Sequence, residues 1–145
     1  MAMIQLGPCA MLPPHYHPRG SNYVVAIKGN TTTYMIQENG APLVTELLTP
    51  GKMTIFPRAS LHAMQNTGCG ESQLVSALSS TDTGTHNFLN GLFQMPEVVV
   101  NAAFGSPEGG AMQWAGVVPA VGYGAMKGDA QCLARCESMN RDGKQ

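Results

Sequence analysis

The chain has 145 residues, enough for one domain with a real core and too few for two comfortable ones. Eight Lys and Arg stand against nine Asp and Glu, a net charge of −1 that supplies no basic field for a nucleic acid. Charged residues make up only 12%, no stretch approaches the ~18 apolar residues of a membrane-spanning helix, and 17 Gly with 10 Pro leave little room for long helices. A turn-rich, all-β domain with neither a nucleic-acid nor a membrane partner is the expectation.

In chain order, the N-terminal stretch has no Lys/Arg region, and Gly7 and Pro8 interrupt its apolar run, so it does not read as a signal peptide. Residues 22–28 predict a strand, Gly29-Asn30 a turn, and residues 31–37 a second strand. Asn39-Gly40 is the dipeptide that best suits a type I′ hairpin turn, and residues 42–48 return from it. Residues 53–56 and 61–66 are short strands around Pro57-Arg58-Ala59-Ser60, and residues 71–79 follow. Six or more strands at this spacing predict a sandwich or small barrel. Residues 86–94 are read as one more strand and residues 96–103 as a short helix opened by Pro96. From Ser106 the chain is Gly-rich and aperiodic, a tail or wrap in which residues 129–139 can form a short helix. The domain is therefore taken as residues 1–104, and 105–145 as its tail.

Four Cys and four His carry the chemistry. An even count of Cys without a Cys-x-x-Cys pair argues for disulfides and an oxidising compartment; four buried thiols in a cytoplasmic protein is the alternative. The candidates are Cys9, Cys69, Cys132 and Cys136. One Asn-x-Thr sequon, at Asn30, agrees weakly with a secretory history, in which case the signal lies outside this sequence. His15 and His17 are two apart, so in an extended segment both project from one face while Tyr16 projects from the other. Two such imidazoles are a natural chelate for a transition metal, and His62, on a later strand, can close the site from across the sheet. His86 stands apart and reads as a non-ligand.

The spacing resembles the two motifs of the cupin superfamily, in particular its germin-like and spherulin-like members. The first motif is His-x-His, four residues, an acidic residue, six residues and Gly; here it runs His15-Tyr16-His17, Pro18 to Ser21, Asn22, six residues, Gly29. The second is Gly, five residues, Pro-x-Gly, two residues, His, three residues and Asn; here it runs Gly51, Pro57-Arg58-Ala59, His62, Asn66. The resemblance covers Leu6 to Phe104. It implies a jelly-roll β-barrel, a metal on His15, His17, His62 and Asn22, a small-molecule substrate, and oxidase, dioxygenase or superoxide-dismutase-like chemistry. Only 14 residues precede His15, where germin-like chains usually carry a longer section. An uncovered edge strand is then expected to pair with a second chain as a homodimer or larger homo-oligomer.

Two positions depart from the pattern. Asn22 replaces the acidic ligand, which leaves four uncharged candidates and favours copper, zinc or iron over manganese. Ala59 replaces Gly in the turn, where it restricts φ. Beside the oxidative reading stand a redox-neutral cyclase, isomerase or dehydratase using the metal as a Lewis acid or no metal at all, and a non-catalytic spherulin- or storage-type binding protein. Arg19 is a candidate for holding an anionic substrate group, with a plain surface role as the alternative. Met53 and Met64 could supply a soft contact to copper, or simply fill space. A Cys9–Cys69 bridge is proposed to brace the two motifs.

Overall fold

The computed structural model describes residues 1–121, 127–141 and 143. Nine strands come first: β1 (Ala2–Leu6), β2 (Met11–Tyr16), β3 (Asn22–Lys28), β4 (Thr31–Ile36), β5 (Val44–Leu48), β6 (Met53–Phe56), β7 (Leu61–Asn66), β8 (Ser72–Leu78) and β9 (His86–Asn87). Helices α1 (Phe88–Leu92) and α2 (Glu97–Ala103), a 3₁₀ segment at Ala111–Val117, and helix α3 (Ala130–Arg141) follow. The strands form two antiparallel sheets, β1-β8-β3-β6 and β5-β4-β7-β2-β9. This is a jelly-roll sandwich, in which two sheets face one another rather than closing into one hydrogen-bonded cylinder.

The alternation of β3 shows how sequence sets the faces. Val24 and Ala26 are buried, whereas Tyr23 and Ile27 point outward and are exposed. With Leu6, Leu48, Phe56, Met64 and Leu74 they make the core between the sheets. Polar residues on that inner face are paired: the Thr31 hydroxyl donates to the Ser72 hydroxyl at 3.1 Å, joining one sheet to the other. Asn66, buried at the end of β7, donates through Nδ2 to the carbonyls of Leu6, Gly7 and Gly70, and its Oδ1 accepts from the Gly68 N–H. The motif Asn thus braces the end of β1 against the turn that follows β7.

Several expectations change. Residues 86–94 do not continue as a strand: β9 stops after Asn87, and α1 folds back so that Gly91 packs against the His86 ring with no room for a side chain. The Asn39-Gly40 turn is not type I′. Only Gly40 has positive φ, and the Ala41 N–H donates to the Glu38 carbonyl, as in a type II turn. The β4–β5 connection is seven residues long, so the geometry of a two-residue hairpin is not required.

Cys9 and Cys69 are not bonded to each other. The disulfides are Cys9–Cys132 and Cys69–Cys136, with Cα separations of 5.8 and 5.3 Å. Cys9 and Cys69 do sit on adjacent turns, since the Cys9 N–H donates to the Gly68 carbonyl. Helix α3 lies across both turns and offers Cys132 and Cys136, four residues apart and hence on one helical face. Asp129 caps the helix by accepting from the Cys132 N–H and also accepts from Gln65 Nε2 on β7.

Candidate metal centre

The histidines gather at the end of the sandwich opposite α3. Pro13 and Pro14 hold the end of β2 extended, and a register irregularity between Leu12 and His15 sets His15 directly across from His62 on β7. His17 lies one pleat further along the same face. Ring centroids are 4.3 Å apart for His15 and His62, 5.3 Å for His15 and His17, and 5.5 Å for His17 and His62. One ring nitrogen from each lies within 4.8 Å of those of the other two. Cys9, Cys132 and Cys136 also cluster, but their sulfurs are taken up in disulfides.

The hydrogen bonds fix the tautomers. His15 Nδ1 lies 2.7 Å from the Pro13 carbonyl, His17 Nδ1 2.7 Å from the Gly84 carbonyl, and His62 Nδ1 2.9 Å from the Ser60 carbonyl. A carbonyl can only accept, so each Nδ1 carries the proton and donates. That leaves Nε2 of each ring as the nitrogen that can offer a lone pair, the arrangement in which imidazole ligates a metal. His62 Nε2 is buried and has no hydrogen-bond partner among the described residues, a costly state for a polar atom without an ion or ligand. Burial, reinforced by the neighbouring His15, pushes the His62 pKa down to about 3, against the opposing bond to Ser60. Burial likewise lowers that of His15. Both imidazoles are neutral at physiological pH. Phe56 stacks on His62 at 4.1 Å between ring centroids and closes the inner side.

His15 and His17 border a cavity of about 410 Å³ with Asn22, Ser76, Leu12 and Met64. None of the described residues lining it is charged. Asn22 opens β3, is 2% exposed, and accepts at Oδ1 from the Ser76 hydroxyl at 2.6 Å. The three imidazoles, with ring nitrogens within 4.8 Å of one another, fit a divalent transition metal, and the Asn22 amide borders the adjoining cavity.

Arg19 is not in this site. It turns away and pairs with Asp82 at 2.6 Å on the surface, holding that carboxyl below its usual range, while its Nε donates to the Asp82 carbonyl. Its position after His17 points it from the turn, not along the inward pleat. Met53 is exposed at the outer edge, and Met64 is core that borders the cavity. Tyr23 is exposed on the outer face of β3, and His86 stacks on Tyr16 away from the three imidazoles. Ser76, Thr85 and Asn87 also border the cavity and were absent from the sequence-derived candidates. Ser76 had a readable signal: with Ser72 and Leu74 it lies on the inward face of β8, a polar residue at a core position.

The Cupin family profile matches residues 1–108. Germin-like protein 5-1 of Oryza sativa subsp. japonica is 31% identical over 108 residues, 72% of this chain and 48% of that protein. Spherulin-1B of Physarum polycephalum is 28% identical over 88 residues, 61% of this chain and 36% of that protein. A recombinant oxalate oxidase solved in complex with glycolate superposes with a TM-score of 0.70 at 23% identity, over 75% of this chain and 57% of that one, a likeness of fold. The chain thus spans about half or less of the length of these relatives. Motif, fold and family match coincide: the chain belongs to the cupin family.

Proposed function

We propose that this cupin is a metal-dependent enzyme acting on a small molecule, with one divalent transition metal held by His15, His17 and His62. The observation that carries the reading is the common tautomer: all three Nδ1 atoms donate to backbone carbonyls, and the buried Nε2 of His62 has no partner among the described residues. The metal would supply Lewis acidity and, for copper or iron, a one-electron couple. His15 and His17 present their free edges to the cavity, while His62, the most buried of the three, anchors the far side against Phe56. Leu12 and Met64 give the cavity apolar walls that suit a substrate of a few carbon atoms. The kinship with germin-like proteins, and the fold shared with an oxalate oxidase that binds glycolate, support oxidase-type chemistry on a small oxygenated acid.

Asn22 favours a second reading. With no carboxylate among the ligands, a divalent ion keeps its full charge and suits a redox-neutral step such as isomerisation or dehydration. Protein loaded separately with copper, iron, manganese and zinc separates the two. Oxygen uptake over a panel of small hydroxy and dicarboxylic acids with the redox-active ions alone supports the oxidative reading. Turnover retained with zinc supports the redox-neutral one, and no turnover with any ion contradicts both.

Secretion and self-association belong to the same proposal. Two disulfides and an exposed Asn30 sequon support an oxidising compartment. The register places Met3, Val75, Val25 and Met53 in one outward row and Ala77, Tyr23 and Ile55 in the next. That apolar sheet face supports a homodimer, for which sedimentation is the test. Residues 105–145 are read as a tail wrapped on the 1–104 domain and not as a separate domain, which the double tether through α3 supports.

A further inference from the structure

We infer that Asn22 is not a fourth metal ligand but a hydrogen-bond donor to an anion bound at the three-histidine centre, held in that orientation by Ser76. The inference rests on the proposed metal site and assigns the chemistry of the group that completes it.

An amide has one accepting end and one donating end. The Ser76 and Asn22 side chains are both buried, and the atoms in contact lie 2.6 Å apart. That separation is short for N–H···O, which prefers about 2.9–3.0 Å, and natural for O–H···O. The hydroxyl proton of Ser76 is therefore directed at Oδ1. Strand register makes the contact a built one: Ser76 lies opposite Val24 on β8, one pleat from the partner of Asn22, and both side chains face inward. With Oδ1 engaged, the two N–H groups of Nδ2 are the part of the amide left to serve the cavity, and they have no acceptor among the hydrogen bonds of the described residues.

Charge points the same way. Three neutral imidazoles leave a divalent ion with a charge of +2, and no charged side chain of the described residues borders the cavity. Neutrality must come from an anion that enters from outside: hydroxide, or the carboxylate of a substrate. An amide N–H donor lining the same cavity as His15 and His17 favours such an anion, whereas a carboxylate at residue 22 would compete with it for the metal and repel it. Where the family motif has an acidic ligand, this chain offers an anion-binding group, and the ligand class it takes is a small monoanion or carboxylate. Asn22 would touch that ligand directly. Ser76 acts through Asn22 and is a positioning residue.

Protein loaded with cobalt(II) and titrated with azide tests this, with the visible bands of the bound cobalt reporting anion affinity and a competing chelator reporting metal affinity. Asn22→Ala is expected to weaken azide by about tenfold or more, as for the loss of one hydrogen bond to a charged group, and to change cobalt affinity by less than about threefold. Ser76→Ala, which keeps the amide but frees it to turn over, should weaken azide by about threefold to tenfold, and Ser76→Thr should restore it. The Ser76 pair keeps the test decisive if Asn22→Ala does not fold. A loss of cobalt affinity of tenfold or more in Asn22→Ala, or azide binding unchanged in both Asn22→Ala and Ser76→Ala, overturns the inference while leaving the three-histidine site standing. Wild-type protein that takes up no cobalt overturns the inference and the proposed function together.

Discussion

At one end of the sandwich three imidazoles are aligned by short, mostly local hydrogen bonds: His15 and His62 each donate to a carbonyl two residues back in the chain. At the other end helix α3 is stapled across two turns by disulfides that span 123 and 67 residues of sequence. The first end gains its order from backbone geometry and leaves a buried nitrogen without a partner among the described residues. The second gains covalent cross-links and leaves nothing free for chemistry. The contrast teaches that stability and candidate function are placed at opposite ends of one core, so each should respond to its own perturbation and little to the other's.

The largest separation should come from the disulfides. Cys132→Ser or Cys136→Ser is expected to lower unfolding stability by about 2–5 kcal/mol, read as a fall in the denaturation midpoint. Metal affinity should stay within a factor of about three in the same variants, because among the described residues no hydrogen bond from α3 reaches His15, His17 or His62. A variant that loses metal in proportion to stability would erase the distinction between the two ends.

Acid should act at the other end. The folded-state pKa of His62 lies near 3, below the 6.5 of an unperturbed imidazole, so between those values the unfolded chain binds the proton and the folded chain does not. Stability of the metal-free protein is fully present above about pH 6.5 and falls on acidification toward pH 3. The slope reaches about 1.4 kcal/mol per pH unit for this one group, and His15 adds in the same direction. Denaturant midpoints measured across this window check the slope. A flat profile would mean that these imidazoles are not desolvated.

The smallest effect is expected at Ala59, whose φ of 63° is a left-handed conformation that a β-carbon disfavours. Its N–H donates to the His17 carbonyl, so it belongs to the histidine end. Ala59→Gly, which restores the motif residue, should add about 1 kcal/mol to stability with an unchanged denaturant slope and unchanged metal affinity.

Much of this was legible in the sequence where patterns are local. Strands β3, β6 and β7 begin and end where alternation and turns place them, and the His-x-His pair shares a face as period-two geometry requires. The elements that escaped are those whose cause lies in tertiary packing. Strands β1 and β2 are separated by Gly7 and Pro8 and gain their identity from pairing with β8 and β7. The run after His86 has the apolar content of a strand but turns helical because Gly91 can close on the His86 ring. The disulfide pairing escaped because a helix outside the motifs lies across two neighbouring turns and supplies a partner to the Cys of each. Of the two roles open to Arg19, the surface one holds because Asp82, far along the chain, pairs with it there. The role of Ser76 needed the register of β8 against β3, which no single strand contains.

The metal content of the protein bears most directly on the central claim. Inductively coupled plasma mass spectrometry on wild type and His62→Ala, each reconstituted with the same divalent ion and desalted, reads it. One equivalent per chain is expected in the wild type. An affinity lower by more than about a hundredfold is expected in the variant, since loss of even an outer hydrogen-bond partner of a ligand costs tenfold to a hundredfold. A wild-type chain that retains no metal, or a variant that retains it equally, would contradict the three-histidine centre.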